Sequence, residues 1–321
     1  MNPFSDQKAE QIIQLGERNL IQSIAEWLGS CSPPSPAGIG DDAAVINLAG
    51  TNLVVTIDSL VLDKHFNAST PPSLAGQKLL KRNISDLAAM GAQPSHAVLA
   101  CLLPTSTSVE WLKGFYLGLR EAAEAYSIAL VGGDITSTFQ DLAFTLTLFG
   151  SGAEKSLTRK TSKPGDTLWV TGTLGGSLLG KHLDFEPRLK EGLWLASQTG
   201  VTSAMDVSDG LATDLLNLCP DNCSIDVDTD SIPISDAAIE RASTTNRNPI
   251  EHALEDGEDY ELLFTLWPEV HPIEFLTEWK ESFSTPLTCI GKINTHPPGG
   301  LVQVKYSGSF SHYKGQGYEH F

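Results

Sequence analysis

No apolar run in the chain approaches the roughly 18–20 residues that a membrane-spanning helix needs. The Met1–Glu10 stretch is polar and lacks the basic-then-apolar order of a secretory signal. Basic residues are scarce: Lys+Arg number 21 against 39 Asp+Glu, a formal net charge of −18. A duplex nucleic-acid binder needs a basic face to displace counterions, so that role is disfavoured, and an anionic membrane surface with it. The five cysteines (Cys31, Cys101, Cys219, Cys223, Cys289) are odd in number and scattered. They form neither a disulfide framework nor a paired zinc motif, which predicts a reducing, cytoplasmic setting. No His-Glu-x-x-His spacing is present.

What is there fits a folded chain. With 41% hydrophobic and 19% charged residues, the 321 residues are globular in composition. At about 150 residues per domain the length suggests two domains. Helical spacing predicts helices over Gln11–Leu28, Ser73–Met90, Ser108–Tyr126, Gly192–Gln198, Leu211–Leu218 and Pro272–Phe283. Apolar, β-branched runs predict strands at Asn52–Ile57, Ala97–Leu103, Ile128–Val131, Ala143–Phe149, Thr167–Val170, Ala204–Val207, Glu261–Trp267 and Leu301–Tyr306. Strands and helices mix throughout, so the fold class is α/β or α+β in both halves. The polar Lys155–Gly165 segment marks the boundary, giving units 1–153 and 154–321.

The informative feature is the placement of aspartates. Asp41 and Asp42 follow a glycine loop; Asp58 is expected to end a strand; Asp134 follows Val-Gly-Gly; Asp206 and Asp209 flank another strand end. Each alone is most often a turn residue or helix cap. Asp86 is harder to dismiss, because it lies inside a helix among apolar neighbours, where aspartate is disfavoured. Carboxylates beside apolar strands are costly unless paired or metal-bound, and a hard divalent cation is the natural compensation. Ser208 is placed to cap the Leu211–Leu218 helix. His65 lies seven residues beyond Asp58, Arg159 is one of few arginines, and Glu258 precedes a strand; each also has an ordinary surface or turn reading. Gly175–Lys181 matches phosphate-loop spacing, but His182 stands where Ser or Thr must ligate magnesium, so we read it as a glycine-rich turn.

In order along the chain, Gly38-Ile-Gly-Asp-Asp-Ala-Ala, Thr56-Ile-Asp-Ser-Leu-Val, Lys64-His-Phe, Ile84-Ser-Asp-Leu-Ala-Ala-Met-Gly-Ala, Val131-Gly-Gly-Asp, Leu157-Thr-Arg, Lys163-Pro-Gly-Asp, Val170-Thr-Gly-Thr-Leu-Gly, Asp206-Val-Ser-Asp-Gly-Leu, Gly257-Glu-Asp-Tyr-Glu-Leu and Gly317-Tyr-Glu-His-Phe resemble the thiamine-monophosphate kinase family. That family belongs to the superfamily of aminoimidazole ribonucleotide synthetase and selenophosphate synthetase. The resemblance covers nearly the whole chain. It implies a two-domain fold and a homodimer pairing through the N-terminal sheets. It further implies several Mg2+ ions, with ATP as co-substrate, and transfer to thiamine monophosphate giving thiamine diphosphate. By position it implies metal ligands at Asp41, Thr56, Ile57 (through its carbonyl), Asp58, Asp86, Asp134, Asp206 and Asp209. ATP contacts fall at Tyr116, Gly133, Asp134, Arg159 and Ser208, and substrate contacts at His65, Glu258 and Tyr318. Asp58, Asp86, Arg159 and Asp209 are the implied catalytic set.

Two positions depart from the family pattern: Asp256 replaces a glycine, which would narrow or recharge the thiamine end of the pocket, and Ile135 replaces a threonine. The attacking phosphate oxygen is already deprotonated at neutral pH, which explains why no strong general base stands out; direct in-line transfer is expected. Two other readings stay open from the residues alone. One is a sister enzyme using ATP on a carbonyl or amide oxygen. The other is an acidic cation- or nucleotide-binding protein that would bind metal without releasing ADP.

Overall fold

Two β-sheets built from separate stretches of chain are joined through one long helix. The computed structural model describes residues 7–8, 11–152, 156–295, 301–306 and 309–312. The first sheet comprises β1 (Ala44–Leu48), β2 (Thr51–Val61), β3 (Ala92–Pro104), β4 (Ala129–Thr138) and β5 (Ala143–Gly152). Their order is β1-β2-β5-β3-β4, with only β3 and β4 parallel. The second comprises β6 (Thr167–Thr171), β7 (Val201–Asp206), β8 (Cys223–Asp228), β9 (Leu262–Leu266), β10 (Leu287–Thr295), β11 (Leu301–Tyr306) and β12 (Ser309–His312). Their order is β12-β11-β8-β10-β6-β9-β7. The helices are α1 (Gly16–Leu28), α2 (Pro72–Ala89), α3 (Val109–Ala125), α4 (Leu189–Ser197), α5 (Leu211–Leu218), α6 (Asp236–Thr244), α7 (Pro249–Glu255) and α8 (Pro272–Ser282). The mixed α/β class is as the patterning predicts.

Helix α2 is the junction. Leu79, Leu80, Ile84 and Leu87 are fully buried against the first sheet and α3. The same helix also packs on α4 and β7. One core therefore runs from Val54, Phe144 and Leu148 through α2 to Trp169, Leu195, Phe264 and Trp279. A second core (Leu168, Val170, Leu215, Ile225, Ile293) fills the other face of the second sheet. Both faces of that sheet are thus covered, which is why every residue of β9 is buried and no alternation shows. Among the described residues no helix is long and apolar enough to cross a membrane.

Three expectations are corrected. Asp58 does not end its strand: β2 stays paired with β5 as far as Val61, and the ladder carries the polar Asp58 and Ser59 along. Gly132, Gly133 and Asp134 are not a turn but the middle of β4, paired with Val98, Leu99 and Ala100 of β3. Gly133 has a structural reason to be glycine, since a Cβ there would lie 2.0 Å from the Leu99 carbonyl oxygen. Ser208 does not cap α5, whose N-cap is Gly210.

Candidate active site

One face of α2 builds the site. Lys78, Arg82 and Asp86 are spaced four apart, so they stack along the helix, with Ser85 beside them. Lys78 is wholly buried; its Nζ donates to the His65 carbonyl at 2.9 Å and pairs with Glu258 Oε1 at 2.9 Å. Arg82 donates to the Ser59 carbonyl at 2.9 Å and to Asp58 Oδ1 at 3.3 Å. Asp86 accepts from Thr56 Oγ1 at 2.6 Å, and Ser85 donates to Asp206 at 2.6 Å. Strand β2, helix α2 and the end of β7 are thereby tied at one point.

At that point Asp42, Asp86 and Asp206 converge, with one carboxylate oxygen of each within 4.8 Å of the others. Burial and the neighbouring Asp58, Asp206 and Asp42 push the Asp86 carboxyl well above its usual range. Burial and Asp42 push Asp206 up to about 8, against the opposing pull of Ser85 and Arg159. Like charges this close, with little water, favour a cation between them. Arg159 already grips one member: its Nη2 lies 2.6 Å from Asp42 Oδ1 and its Nε 3.2 Å from Asp42 Oδ2. Its backbone N–H donates to Asp41 at 2.8 Å. Asp42, not Asp41, enters the triad.

A cavity of about 160 Å³ opens beside the triad, lined among others by Asp58, His65, Arg82, Ser208, Asp209 and Glu258. Two loops meet there through main-chain bonds, Glu258 N–H to the Ser208 carbonyl at 2.7 Å and Tyr260 N–H to the Val207 carbonyl at 2.8 Å. Glu258 (φ +54°) and Tyr260 (φ +52°) both hold left-handed backbone, a strained state for non-glycine residues that is often kept where function needs it. Although burial favours its neutral form, Lys78 holds the Glu258 carboxyl below its usual value. Tyr260 stacks on Phe185 with centroids 3.9 Å apart and donates to Glu258 at 3.2 Å.

Thr56, Asp58, His65, Asp86, Arg159, Asp206, Ser208, Asp209 and Glu258 are therefore brought together in one chain. Tyr116, Gly133 and Asp134 are not. Asp58 pairs with Leu146, Leu146 with Leu99, and Leu99 with Gly133, so the two ends of this row stand three strands apart. At about 4.8 Å per strand that is roughly 14 Å. Asp134, the next residue along, belongs to the other sheet face and is exposed, as is Ile57. Tyr116 instead contacts Cys101 Sγ at 3.3 Å under the β4 edge. Tyr318 lies outside the described residues. Asp256 does not recharge the pocket: it is buried against His252 and the Gly176 N–H and lines neither this cavity nor its neighbour.

Sequence reasoning missed Lys78, Arg82, Tyr260 and Asp214. The signal for the first two was the four-residue spacing of charge through an otherwise apolar helix. Asp214 is fully buried and accepts from the N–H groups of Ser208 at 3.1 Å and Asp209 at 3.2 Å. It shapes the loop that a Ser208 cap was expected to shape.

Residues 40–153 match the family model described as AIR synthase related protein, N-terminal domain. The thiamine-monophosphate kinase of Rhodopirellula baltica is 38% identical over 81% of this chain and 84% of its own length. That of Haemophilus influenzae is 32% identical over 94% and 98%. A solved structure of AaThiL complexed with AMPPCP and TMP superposes with a TM-score of 0.78 at 28% identity, covering 98% of this chain and 100% of that one. The chain belongs to the thiamine-monophosphate kinase family.

Proposed function

We infer that this chain transfers the γ-phosphoryl group of ATP to the phosphate of thiamine monophosphate, giving thiamine diphosphate and ADP. Family membership supports the reaction, and the convergence of Asp42, Asp86 and Asp206 is the observation that ties it to this molecule. Three converging carboxylates, of which only Asp42 is paired with an arginine, are costly in a core, and phosphoryl transfer between two anions needs a clustered positive charge. The donor set, all carboxylate oxygen with Thr56 beside it, fits Mg2+. Asp42, Asp86 and Asp206 would hold it, with Asp58 and Asp209 at the cavity wall. A cation held there would supply charge neutralisation for the phosphates.

The chain's own groups do the rest. Arg159 presents a planar guanidinium suited to two phosphate oxygens. Arg82 and Lys78 orient Asp58 and Glu258 by the bonds described above. Ser208 and Asp209 offer a loop at the cavity edge for ATP. His65 and Glu258 mark where the acceptor leaves the acid cluster. The acceptor oxygen carries no proton to remove, so transfer is in line and direct.

A homodimer and a division into units 1–153 and 154–321 are part of this reading. The two sheets share no strand. Ile57 (63% exposed) on the outer face, and Val131 (61%) and Ile135 (69%) on the edge strand β4, leave apolar surface on the first sheet. A second copy covering it would account for Tyr116, Gly133 and Asp134 lying apart from the triad, as residues that serve a neighbour's site. Five free cysteines support a reducing, cytoplasmic setting.

The test is ADP release from ATP and Mg2+, with and without thiamine monophosphate, for wild type and Asp58→Asn. We expect release to require thiamine monophosphate and kcat to fall about a hundredfold or more in the variant. ATP binding without acceptor-dependent turnover would move the assignment to a sister activity.

A further inference from the structure

The glycine-rich turn that imitates a phosphate loop has its amides already taken. Gly175 N–H donates to both Asp259 oxygens, at 2.9 and 3.1 Å, and Gly176 N–H donates to Asp256 Oδ2 at 3.0 Å. Asp256 is in turn fixed by His252 Nδ1 at 2.9 Å, and Ser177 Oγ donates to the Gly257 carbonyl at 2.5 Å. The turn also lies flat on its neighbours, since a Cβ at Gly175 would fall 2.6 Å from Ala253 N and one at Gly176 2.4 Å from Ala237 C. It is a rigid mount and not an anion cradle.

What it mounts is apolar and open. Leu178 is 43% exposed and Leu179 52% exposed, an unusual state for two adjacent leucines on a tightly held turn. Both line a second cavity of about 490 Å³, whose opposite side includes Phe66. His65 and Glu258 line both this cavity and the one beside the acid triad, so the two spaces meet between them. An acceptor with its phosphate at the triad has this opening for its other end. The space sets Phe66, Leu178, Leu179 and Leu183 beside two carboxylates, Asp63 and Glu258, with Lys64 also in its lining, and apolar surface next to net acid suits a flat, cationic heteroaromatic group.

We propose that Leu178 and Leu179 are specificity-determining residues, forming the apolar wall against which the organic end of the acceptor packs. The inference rests on the kinase reading and adds to it residues outside the acid cluster.

Steady-state kinetics of the full chain test it, with wild type, Leu179→Ser and the double variant Leu178→Ser/Leu179→Ser. Because both side chains are exposed, the melting temperature should stay at the wild-type value. KM for thiamine monophosphate should rise about tenfold or more in the double variant, with kcat and KM for ATP unchanged. Leu179→Ser should show a smaller rise in the same direction. Inhibition by thiamine, which lacks the phosphate, should weaken by a similar factor. An unchanged KM for thiamine monophosphate overturns the proposal, as does an equal rise in KM for ATP. If wild type itself shows no turnover with thiamine monophosphate, the kinase reading fails and this inference falls with it. When wild type turns over normally, an unchanged KM in the variants counts against the leucines alone.

Discussion

Asp214 gives the Ser208 and Asp209 N–H groups one shared carboxylate oxygen while its other oxygen has no hydrogen-bond partner among the described residues. Burial and the nearby Asp209 and Asp206 push its carboxyl well above the usual range. Asp214→Ala strands two buried donors, and chemical denaturation should show a loss of about 1–3 kcal/mol. KM for ATP should rise with it, because the loop that carries Ser208 loses its support. Asp214→Asn keeps an acceptor of the same shape and should restore most of both quantities. At this scale the sequence was informative where chemistry forbids a bland alternative. Asp86 in an apolar helix and Asp206 after an apolar strand were legible for that reason. The choice of Asp42 over its neighbour Asp41 was not, because adjacent residues differ only in direction, which the grip of Arg159 decides.

Helix α2 and the glycine-rich turn after β6 show what elements add. In α2, buried leucines fix the orientation, and the stripe of Lys78, Arg82 and Asp86 then faces the seam between β2 and the Glu258 loop; apolar spacing made the helix readable, and its partners were not. Strands β8 and β10 went unrecognised: Cys223–Asp228 alternates over only six residues, and the pattern of Leu287–Thr295 is broken by the irregularity between Cys289 and Gly291. Their pairing is long-range, and local pattern does not encode it. At the turn, Asp259 is the element's titratable anchor. Burial pushes its carboxyl up to about 7, opposed by Lys181 and the Gly175 N–H. In the unfolded chain Asp ionises near its ordinary value, about 3.9. The unfolded state therefore releases a proton first, and stability conferred by the neutral carboxyl is lost progressively as pH rises from about 4 to about 7. Asp259→Asn removes that titration. The melting temperature of the variant minus that of wild type should increase between pH 5 and pH 8; a difference that stays flat or decreases would contradict the assignment.

At the scale of the whole molecule, the acid site exists only because two sheets meet across α2. Asp42, Thr56 and Asp58 come from the chain at or just before the first sheet, and Asp206, Ser208, Asp209 and Glu258 from the chain at the second. An ordered series of short motifs made this legible as a set, while the contacts between them follow from long-range packing. The most direct test of the account is a rapid-quench experiment with ATP labelled on the γ-phosphate, Mg2+, thiamine monophosphate and enzyme in excess. The label should pass from ATP to thiamine diphosphate in a single phase with none bound to protein. Label trapped on an aspartate or histidine, or a labelled product other than thiamine diphosphate, would contradict it.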